Sequence, residues 1–268
     1  MADPLAVHDV ALVRAGNPSR FTLSGTNTWL VGRAPCWVVD PGPALPGHVR
    51  EVAAQAAARG GLGGIAVTHD HADHAEAVGA VLEAAGASAG AGSPGTRPVV
   101  AARLPGAAPR AEGMPFAAVP TPGHAPDHLA FRTPGGVLFT GDAVLGEGSV
   151  FVWPDPGALA GYLAALEGFL GDPPVLICPG HGPVVTRPAA KLREYLEHRH
   201  AREAALVAAL DAGARTVDEL LDAAWADVPD VLRPAAAVTL AAHMDKLAGE
   251  GRLPADAVRP SLGVLTAP

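Results

Sequence analysis

Three histidines and two aspartates lie within one short segment, THDHADH, at residues 68–74. His69 and His71, two positions apart, can direct their imidazole nitrogens at one cation, while Asp73 and His74 can turn towards a second. Imidazole and carboxylate groups are typical ligands of zinc, with iron and manganese as competitors. This density of ligand-type residues is specific for a motif of its length, so the segment predicts a metal site.

Three later segments repeat one arrangement, in which an apolar β-type run is followed by glycine and then by a candidate ligand. They are FAAVPTPGH with His124, VLFTGD with Asp142, and VLICPGH with His181. Glycine permits the sharp turn and the close backbone approach that a cluster of ligands requires. One histidine or aspartate after a strand is usually an ordinary turn residue. Three placed alike, together with THDHADH, indicate a single site.

These candidate ligands suit two metal ions that share one carboxylate. We expect the first ion to bind His69, His71 and His124, the second to bind Asp73, His74 and His181, and Asp142 to bridge them. Coordination lowers the pKa of bound water to about 7, which supplies hydroxide as the nucleophile, and a pair of ions stabilises the attacking and leaving oxygens. Asp73 and Asp142 are therefore predicted to be catalytic as well as metal-binding.

Residues beside the ligands are candidates for supporting roles. Asp127 and His128, in PGHAPDH, closely follow a ligand and either hydrogen-bond the ligands or serve only loop packing. Asp70 is a solvated or loop-capping carboxylate in one interpretation and a support for the ligands in the other. The sequence has no GxSxG elbow, no phosphate-binding loop and no dinucleotide fingerprint. The pattern therefore indicates hydrolysis without a side-chain nucleophile.

Short strands and helices alternate in the first part of the chain and must position these ligands. Strands are predicted at residues 5–13 and 28–31, in APCWVVD up to Asp40, and in GIAVT, which ends next to His69. Helices are predicted at residues 48–60, 75–86 and 157–170. The hydrophobic periods and the closing glycines support these assignments. The low-complexity stretch at 86–98 predicts a surface loop.

Strands nearly vanish after Thr186, where helical patterns follow one another at 188–213, 216–225 and 231–253. We predict a hydrolase domain at 1–186 and a helical domain at 187–268. The second resembles a winged-helix arrangement in which the last helix runs into a short hairpin. It carries 10 Lys and Arg against 12 Asp and Glu. A module that reads DNA should be basic, so sequence-specific DNA binding is not expected and a structural role or a homodimer is favoured.

The chain of 268 residues carries a net charge of −8, which argues against a broad surface for nucleic acid. No apolar run approaches the roughly 20 residues of a membrane-spanning helix, so no membrane partner is expected. The N-terminal sequence MADPLAVHDV has neither a basic segment nor an apolar signal core, which predicts a cytoplasmic protein. Cys36 and Cys178 each lie in an apolar run, so we expect both to pack in the core and do not expect a disulfide between them.

The order of four motifs along the chain resembles one known superfamily. THDHADH, TPGH, TGD and PGHGP, within residues 65–185, are similar to the motifs of the metallo-β-lactamase fold superfamily. The resemblance implies an αβ/βα sandwich of two mixed sheets flanked by helices, with the metals at one edge. The sequence pattern by itself indicates only a mixed α/β fold.

Within the superfamily, the resemblance disfavours antibiotic hydrolysis. The best-known zinc β-lactamases carry cysteine at the position of Asp142, whereas glyoxalase-II-like hydrolases and nuclease branches carry aspartate. NPSRFTLSGTNTWLVG, GDAVLGEG, and PGHGPVV followed by EYLEHRHARE resemble the β-lactamase-like protein 2 family. That family implies a single-strand-specific endoribonuclease or a thioesterase that acts on carrier proteins. Asn27, Trp153 and Tyr162 lie in matching stretches and are candidates to line the cleft, whereas Ala125 replaces a threonine of many relatives.

Two arginines in HRHARE, Arg199 and Arg202, could present guanidinium groups to a phosphate. The favoured alternative is a solvated helix face paired with Glu194, Glu197 and Glu203. The sequence thus predicts a dinuclear zinc hydrolase acting on a small molecule or on single-stranded RNA, through a phosphodiester or an acyl-thioester bond. A regulatory binding protein with a structural metal is disfavoured, because structural zinc usually has a closed four-ligand shell.

Overall fold

A computed structural model of the chain describes residues 3–88, 99–101 and 114–262. The strands are Val10–Arg14 (β1), Asn27–Val31 (β2), Cys36–Val39 (β3), Leu62–Ala66 (β4), Val99–Ala101 (β5), Ala117–Pro120 (β6), Leu129–Arg132 (β7), Val137–Gly141 (β8) and Leu176–Pro179 (β9). The α-helices are Pro46–Ala58 (α1), Ala72–Ala75 (α2), Val78–Ser88 (α3), Ala158–Gly171 (α4), Pro188–Asp211 (α5), Val217–Ala224 (α6) and Arg233–Gly249 (α7). Short 3-10 helices lie at Ala6–His8 and Asp230–Leu232.

The strands form two mixed sheets. The first has the order β1-β2-β3-β4-β5, with antiparallel pairs from β1 to β3 and parallel pairs from β3 to β5. The second has the order β6-β7-β8-β9, in which only the last pair is parallel. Helices α1 and α4 connect the parallel pairs β3-β4 and β8-β9, as such a crossover requires.

Apolar side chains of the two sheets meet in a central layer. Trp29 and Trp37 of the first sheet lie in one buried cluster with Phe131 and Phe139 of the second. Helices α1 and α3 cover the outer face of the first sheet, and α4 and α5 cover the outer face of the second. The order helix, sheet, sheet, helix is an αβ/βα sandwich, so the predicted fold class is confirmed.

Three predicted element boundaries are wrong. Residues 6–8, expected in the first strand, form a 3-10 helix that ends at Asp9 with φ 54°, and β1 begins only at Val10. The helix expected directly behind His74 is divided, because His74 N–H bonds to the carbonyl of His71 and places His74 inside the short helix α2. Positions 86–88 of the predicted surface loop belong to α3, and 89–98 lie outside the described residues.

Helix α5, 24 residues long, belongs to two hydrophobic cores. Its first half packs Leu192 and Tyr195 against the second sheet and α4. Its second half packs Leu206 and Leu210 against α6 and α7. The helical region is therefore attached to the sandwich through a continuous helix. The boundary at 186/187 stays a prediction.

The helical region, from residue 187 onward, contains α5, α6 and α7, and α7 ends at Gly249. Helix α6 begins with a capping box, in which Thr216 accepts from the N–H of Glu219 and the Glu219 carboxylate accepts from Thr216 N–H. Residues 250–262 form turns and contain no strand, so the expected hairpin is not formed in the part of the region that the structure describes. Cys36 and Cys178 are buried and free. Among the described helices, none has the length and apolar character needed to cross a membrane.

Candidate metal centre

The seven predicted ligands come together at one edge of the sandwich. His69 follows β4 of the first sheet, whereas the loops after β6, β8 and β9 of the second sheet carry the others that lie outside THDHADH. These are His124, Asp142 and His181. The ends of strands from both sheets thus build the site, and side chains held at strand ends are firmly placed.

Three histidines form the first group that the sequence predicted. His71 Nδ1 lies 2.9 Å from His69 Nε2 and 3.1 Å from His124 Nε2. The three nitrogens lie within 4.8 Å of one another, close enough to share one ion. His69 and His124 are buried, while His71 is partly exposed.

The second group consists of Asp73, His74 and His181, whose ligand atoms also lie within 4.8 Å of one another. His181 Nε2 is 3.3 Å from Asp73 Oδ2 and 3.3 Å from His74 Nε2. Asp142 lies between the groups: its Oδ2 is 3.5 Å from His124 Nε2 and 3.3 Å from His181 Nε2. Asp142 therefore lies within 3.5 Å of one histidine from each group.

Asp40, which the sequence analysis did not select, orients both groups. Its buried carboxylate accepts from His74 Nδ1 at 2.9 Å, and from Thr68 N–H at 2.7 Å and Thr68 Oγ1 at 2.8 Å. Because Thr68 Oγ1 donates to Asp40, it accepts from His69 Nδ1 at 3.0 Å. Both rings therefore carry the proton on Nδ1 and direct the lone pair of Nε2 into the centre. The signal was present in the sequence, since Asp40 also follows an apolar strand.

His128 and Asp127 hold the backbone of the ligand loops. His128 Nε2 accepts from the N–H of Asp142 at 3.0 Å, while its Nδ1 donates to Thr121 Oγ1 at 2.7 Å. Asp127 Oδ2 accepts from the N–H of Asp70 at 3.0 Å. Asp70 is exposed. Both candidates for supporting roles thus contact the ligand loops directly.

Asn27 was predicted to contact substrate, and its position contradicts this role. Its side chain is fully buried, and Nδ2 donates to the carbonyls of Pro179 and Gly182 at 3.0 and 2.9 Å. Asn27 therefore fixes the loop that carries His181. Thr26 donates from Oγ1 to Asp73 Oδ2 at 2.9 Å and fixes that carboxylate in the same way.

Glycines are required where the ligand loops approach most closely. A Cβ on Gly180 would lie 2.4 Å from Asp142 Oδ1 and 2.7 Å from His74 Cε1. A Cβ on Gly141, whose φ is +45°, would lie 2.4 Å from Thr68 Oγ1. The glycine before a ligand is thus a spatial requirement, as the repeated pattern predicted.

The pKa shifts differ between the two groups of histidines. Burial lowers the pKa of His124 to about 4, which keeps this imidazole neutral and able to coordinate. Burial opposes charge on His181 as well, but Asp142 and Asp73 outweigh it and raise the pKa of His181 to about 9. Burial likewise opposes the charge of Asp142, yet His181 and His74 hold its pKa well below the usual range.

The residues present fit a pair of metal ions. Imidazole lone pairs converge at hydrogen-bond distances without a matching set of donors. Asp142 Oδ1 is buried and has no hydrogen-bond partner. A cation would satisfy both, and a donor set of histidine and aspartate without thiolate suits zinc, iron or manganese.

A cavity of about 350 Å³ opens from the metal centre towards the helical region. His71, Asp73, His124, Asp142 and His181 form one end. The opposite wall is largely apolar and comes from α7 and the segment that joins it to α6, with Trp225, Val228, Leu232, Ala235 and Ala236. Trp153 and Tyr162 lie outside this lining, and Tyr162 is buried with its hydroxyl bonded to Ala143 O. The helical region therefore forms one wall of the cavity that opens from the metal centre.

The favoured account of the two arginines, a solvated face paired with three glutamates, is wrong. Arg199 is only 2% exposed and donates to Val150 O. Arg202 forms a two-point ion pair with Asp227 and also donates to Ala224 O. Both line the cavity. The two arginines bond to residues outside α5, because the loop after Asp142 and the end of α6 cover this part of the helix.

An αβ/βα sandwich with a histidine and aspartate cluster at one edge defines a class of metal-dependent hydrolases. Residues 21–181 match the family described as the metallo-beta-lactamase superfamily, and residues 216–257 match the beta-lactamase associated winged helix domain. The chain belongs to the metallo-β-lactamase superfamily and is a hydrolase of that superfamily. The resemblance read from the sequence is thereby confirmed.

Similar proteins cover most of the chain. A beta-lactamase-like protein 2 homolog of Drosophila melanogaster is 32% identical over 88% of this chain and 87% of its own length. An atrochrysone carboxyl ACP thioesterase of Aspergillus chevalieri is 34% identical over 91% of this chain and 82% of its own length. A metallo-beta-lactamase family protein of Thermus thermophilus has a TM-score of 0.65 at 25% identity, with 91% and 94% coverage.

Proposed function

We propose that this hydrolase is a dinuclear zinc enzyme that cleaves acyl thioesters. The observation that carries the proposal is the cavity, which joins the histidine and aspartate cluster to an apolar wall suited to an acyl group. A relative 34% identical over most of the chain is a carrier-protein thioesterase. In the reaction, the oxygen of water bonds to the acyl carbon, the C–S bond breaks, and the thiol leaves with a proton.

The ions would be held by the two groups of ligands with Asp142 between them. When bound, a pair of zinc ions supplies Lewis acidity and lowers the pKa of coordinated water. The residues of the chain provide the geometry. Asp40 sets the tautomers of His69 and His74, and Thr26 fixes Asp73. Preorganised ligands avoid the cost of rearrangement during the reaction.

Apolar side chains lie where the metal centre opens into the cavity. The ring of Phe151 packs against His124 at 4.8 Å between centroids, and Phe21 contacts Phe151 edge-to-face at 6.5 Å. Phe21, Phe151 and Leu23 all line the cavity. An apolar entrance next to the reacting atoms favours a thioester, whose acyl group gains free energy on leaving water.

Single-stranded RNA is the other substrate class predicted from the sequence, and the residues that line the cavity are less suited to bind it. A ribose-phosphate backbone presents a row of phosphates and requires exposed cations along a groove. Of the three arginines that line the cavity, Arg202 is bound by Asp227, Arg199 is one buried group, and only Arg20 is exposed, so they do not form such a row. The net charge of −8 adds no general attraction for a polyanion.

The test is one zinc-loaded preparation assayed against an acyl thioester, single-stranded RNA and a β-lactam. We expect hydrolysis of the thioester, loss of at least about 100-fold in kcat/KM in His69→Ala, and two zinc ions per chain by mass spectrometry. Asp70→Ala, an exposed change in the same segment, is the matched control. Cleavage of RNA alone, or activity that survives His69→Ala, would overturn the proposal.

A further inference from the structure

Arg199 is a buried cation without a carboxylate partner. Its guanidinium donates to Val150 O and lies 5.4 Å from the centre of the Tyr162 ring, and its Nε is buried with no hydrogen-bond partner. Among the described residues, no Asp or Glu forms an ion pair with it. A buried charge that is neither paired nor fully hydrogen-bonded is costly, so it calls for a ligand.

His198, which precedes Arg199 on α5, carries a second donor without a partner. Arg202 Nε donates to His198 Nε2 at 3.2 Å. Burial, with Arg199 and Arg202 adding to it, lowers the pKa of His198 to about 4, so the ring is neutral at pH 7. A neutral ring that accepts at Nε2 carries its proton on Nδ1. That atom is buried and has no partner.

Both residues line the cavity, and no carboxylate in the described part of the chain forms an ion pair with either of them. Trp225, Leu232 and Ala236 form the apolar wall around this end of the cavity. Of the nearby cavity carboxylates, Asp227 is engaged by Arg202 and Glu147 is exposed. The acceptor that these donors lack therefore has to arrive with the molecule that fills the cavity.

We propose that Arg199 and His198 form a subsite for a carboxylate on the acyl part of the substrate. The inference rests on the proposed thioesterase function and narrows it to acyl groups that carry a second, free carboxylate. A guanidinium binds a carboxylate through strong, directional hydrogen bonds. One such group would neutralise Arg199 and satisfy His198 Nδ1, while the remaining acyl carbons contact the apolar wall. The cavity volume suits one small acid better than a nucleotide chain.

The first experiment compares two thioesters with the zinc-loaded enzyme: glutaryl N-acetylcysteamine thioester and its ω-methyl ester. We expect kcat/KM to be about tenfold or more higher for the free acid, the scale of one charge-assisted hydrogen bond. In Arg199→Met the ratio should fall towards one, mainly through KM of the acid. Arg193→Met removes the same charge from an exposed position of the same helix and should keep the wild-type ratio.

A binding measurement keeps the inference separate from the proposed function. Calorimetry with the metal-free protein should show monomethyl glutarate binding in the wild type and in Arg193→Met, at least about tenfold weaker binding in Arg199→Met, and no binding of dimethyl glutarate. If this binding pattern is found but no thioester is hydrolysed, the proposed thioesterase function is overturned and the carboxylate subsite is retained. Hydrolysis with equal kcat/KM for acid and ester would overturn the subsite and leave the function.

Failure of Arg199→Met to fold and binding of a different anion are the two remaining results to be interpreted. If Arg199→Met does not fold, because Val150 O loses its donor, the wild-type comparison of acid with ester decides, and a ratio near one overturns the subsite. Arg199→Lys, which keeps the charge but not the planar guanidinium, should give an intermediate ratio. Inorganic phosphate is the competing anion. Arg199-dependent binding of phosphate without binding of the carboxylate would overturn the assignment to an acyl carboxylate.

Discussion

Asp40 accepts a hydrogen bond from Nδ1 of His74 at 2.9 Å, and through Thr68 the same carboxylate also sets the tautomer of His69. One buried aspartate outside the ligand set therefore orients a ring in each of the two groups. Such hydrogen bonds keep the coordinating nitrogen deprotonated and aimed. Asp40 itself has φ 51°, a left-handed conformation that side chains rarely adopt, and its three acceptor contacts hold it there.

Asp40→Asn should weaken zinc binding by about 10- to 100-fold, because the amide would present N–H groups to donors that now meet a carboxylate. Competition with a zinc-sensitive chelator measures the change. Asp70→Asn removes a charge from an exposed position in the ligand segment and should bind zinc like the wild type. Equal affinity in Asp40→Asn and wild type would refute the orienting role.

Gly180→Ala should reduce the zinc content to less than two ions per chain. The added Cβ would lie 2.4 Å from Asp142 Oδ1 and 2.7 Å from His74 Cε1, so two ligands would have to move. Mass spectrometry of the native protein measures the stoichiometry. Gly79→Ala, in α3 with no atom within 4 Å of its Cβ, is the control and should retain the wild-type content. A full complement in Gly180→Ala would argue against the ligand geometry.

Ala235→Phe should shorten the acyl group that the enzyme prefers. The larger side chain enters the apolar wall of the cavity, so kcat/KM for a long acyl thioester should fall by about tenfold or more while that for acetyl thioester changes little. Steady-state kinetics with a series of acyl lengths measures the shift. Ala201→Phe adds the same bulk on the exposed face of α5 and should not alter the preference. A uniform loss for all lengths would contradict an acyl wall.

Glu203 should contribute stability that depends on pH. The ring of His243, 3.6 Å away, and then the ammonium of Lys246, at 2.9 Å, lower the pKa of Glu203 to about 2 from an ordinary value of 4.5. A depressed carboxyl pKa stabilises the fold above the ordinary value and loses this effect as the pH falls towards 2. The free energy of unfolding should therefore differ between wild type and Glu203→Gln at pH 7, and the difference should shrink below about pH 4.5.

Urea unfolding at several pH values measures this contribution. Glu197→Gln removes the same charge from an exposed position of α5 and should show little difference at any pH. A difference between wild type and Glu203→Gln that does not change from pH 7 to pH 3 would show that lost packing, not charge, causes the effect.

The sequence predicted which histidines and aspartates would come together, because four lie in THDHADH and the other three each follow a strand and a glycine. The supporting residues were harder to recognise. Asp40 lies 34 positions from His74, and only the pairing of β3 with β4 brings the two loops together. Arg199 was assigned to a solvated face because its helix reads as charged along its length. The loop after Asp142 covers the face of α5 that carries Arg199. Helical periodicity cannot predict this contact, because it depends on the tertiary structure.

Helix α5 connects the wall of the substrate cavity to the core of the sandwich. Its N-terminal half completes the core of the second sheet, and its C-terminal half carries the helices that wall the cavity. A hydrolase cut away at residue 186 would expose the face that Leu192 and Tyr195 now cover. Exchanging the whole helical region would therefore remove part of the core of the sandwich, whereas changing side chains on the cavity wall would leave that core in place.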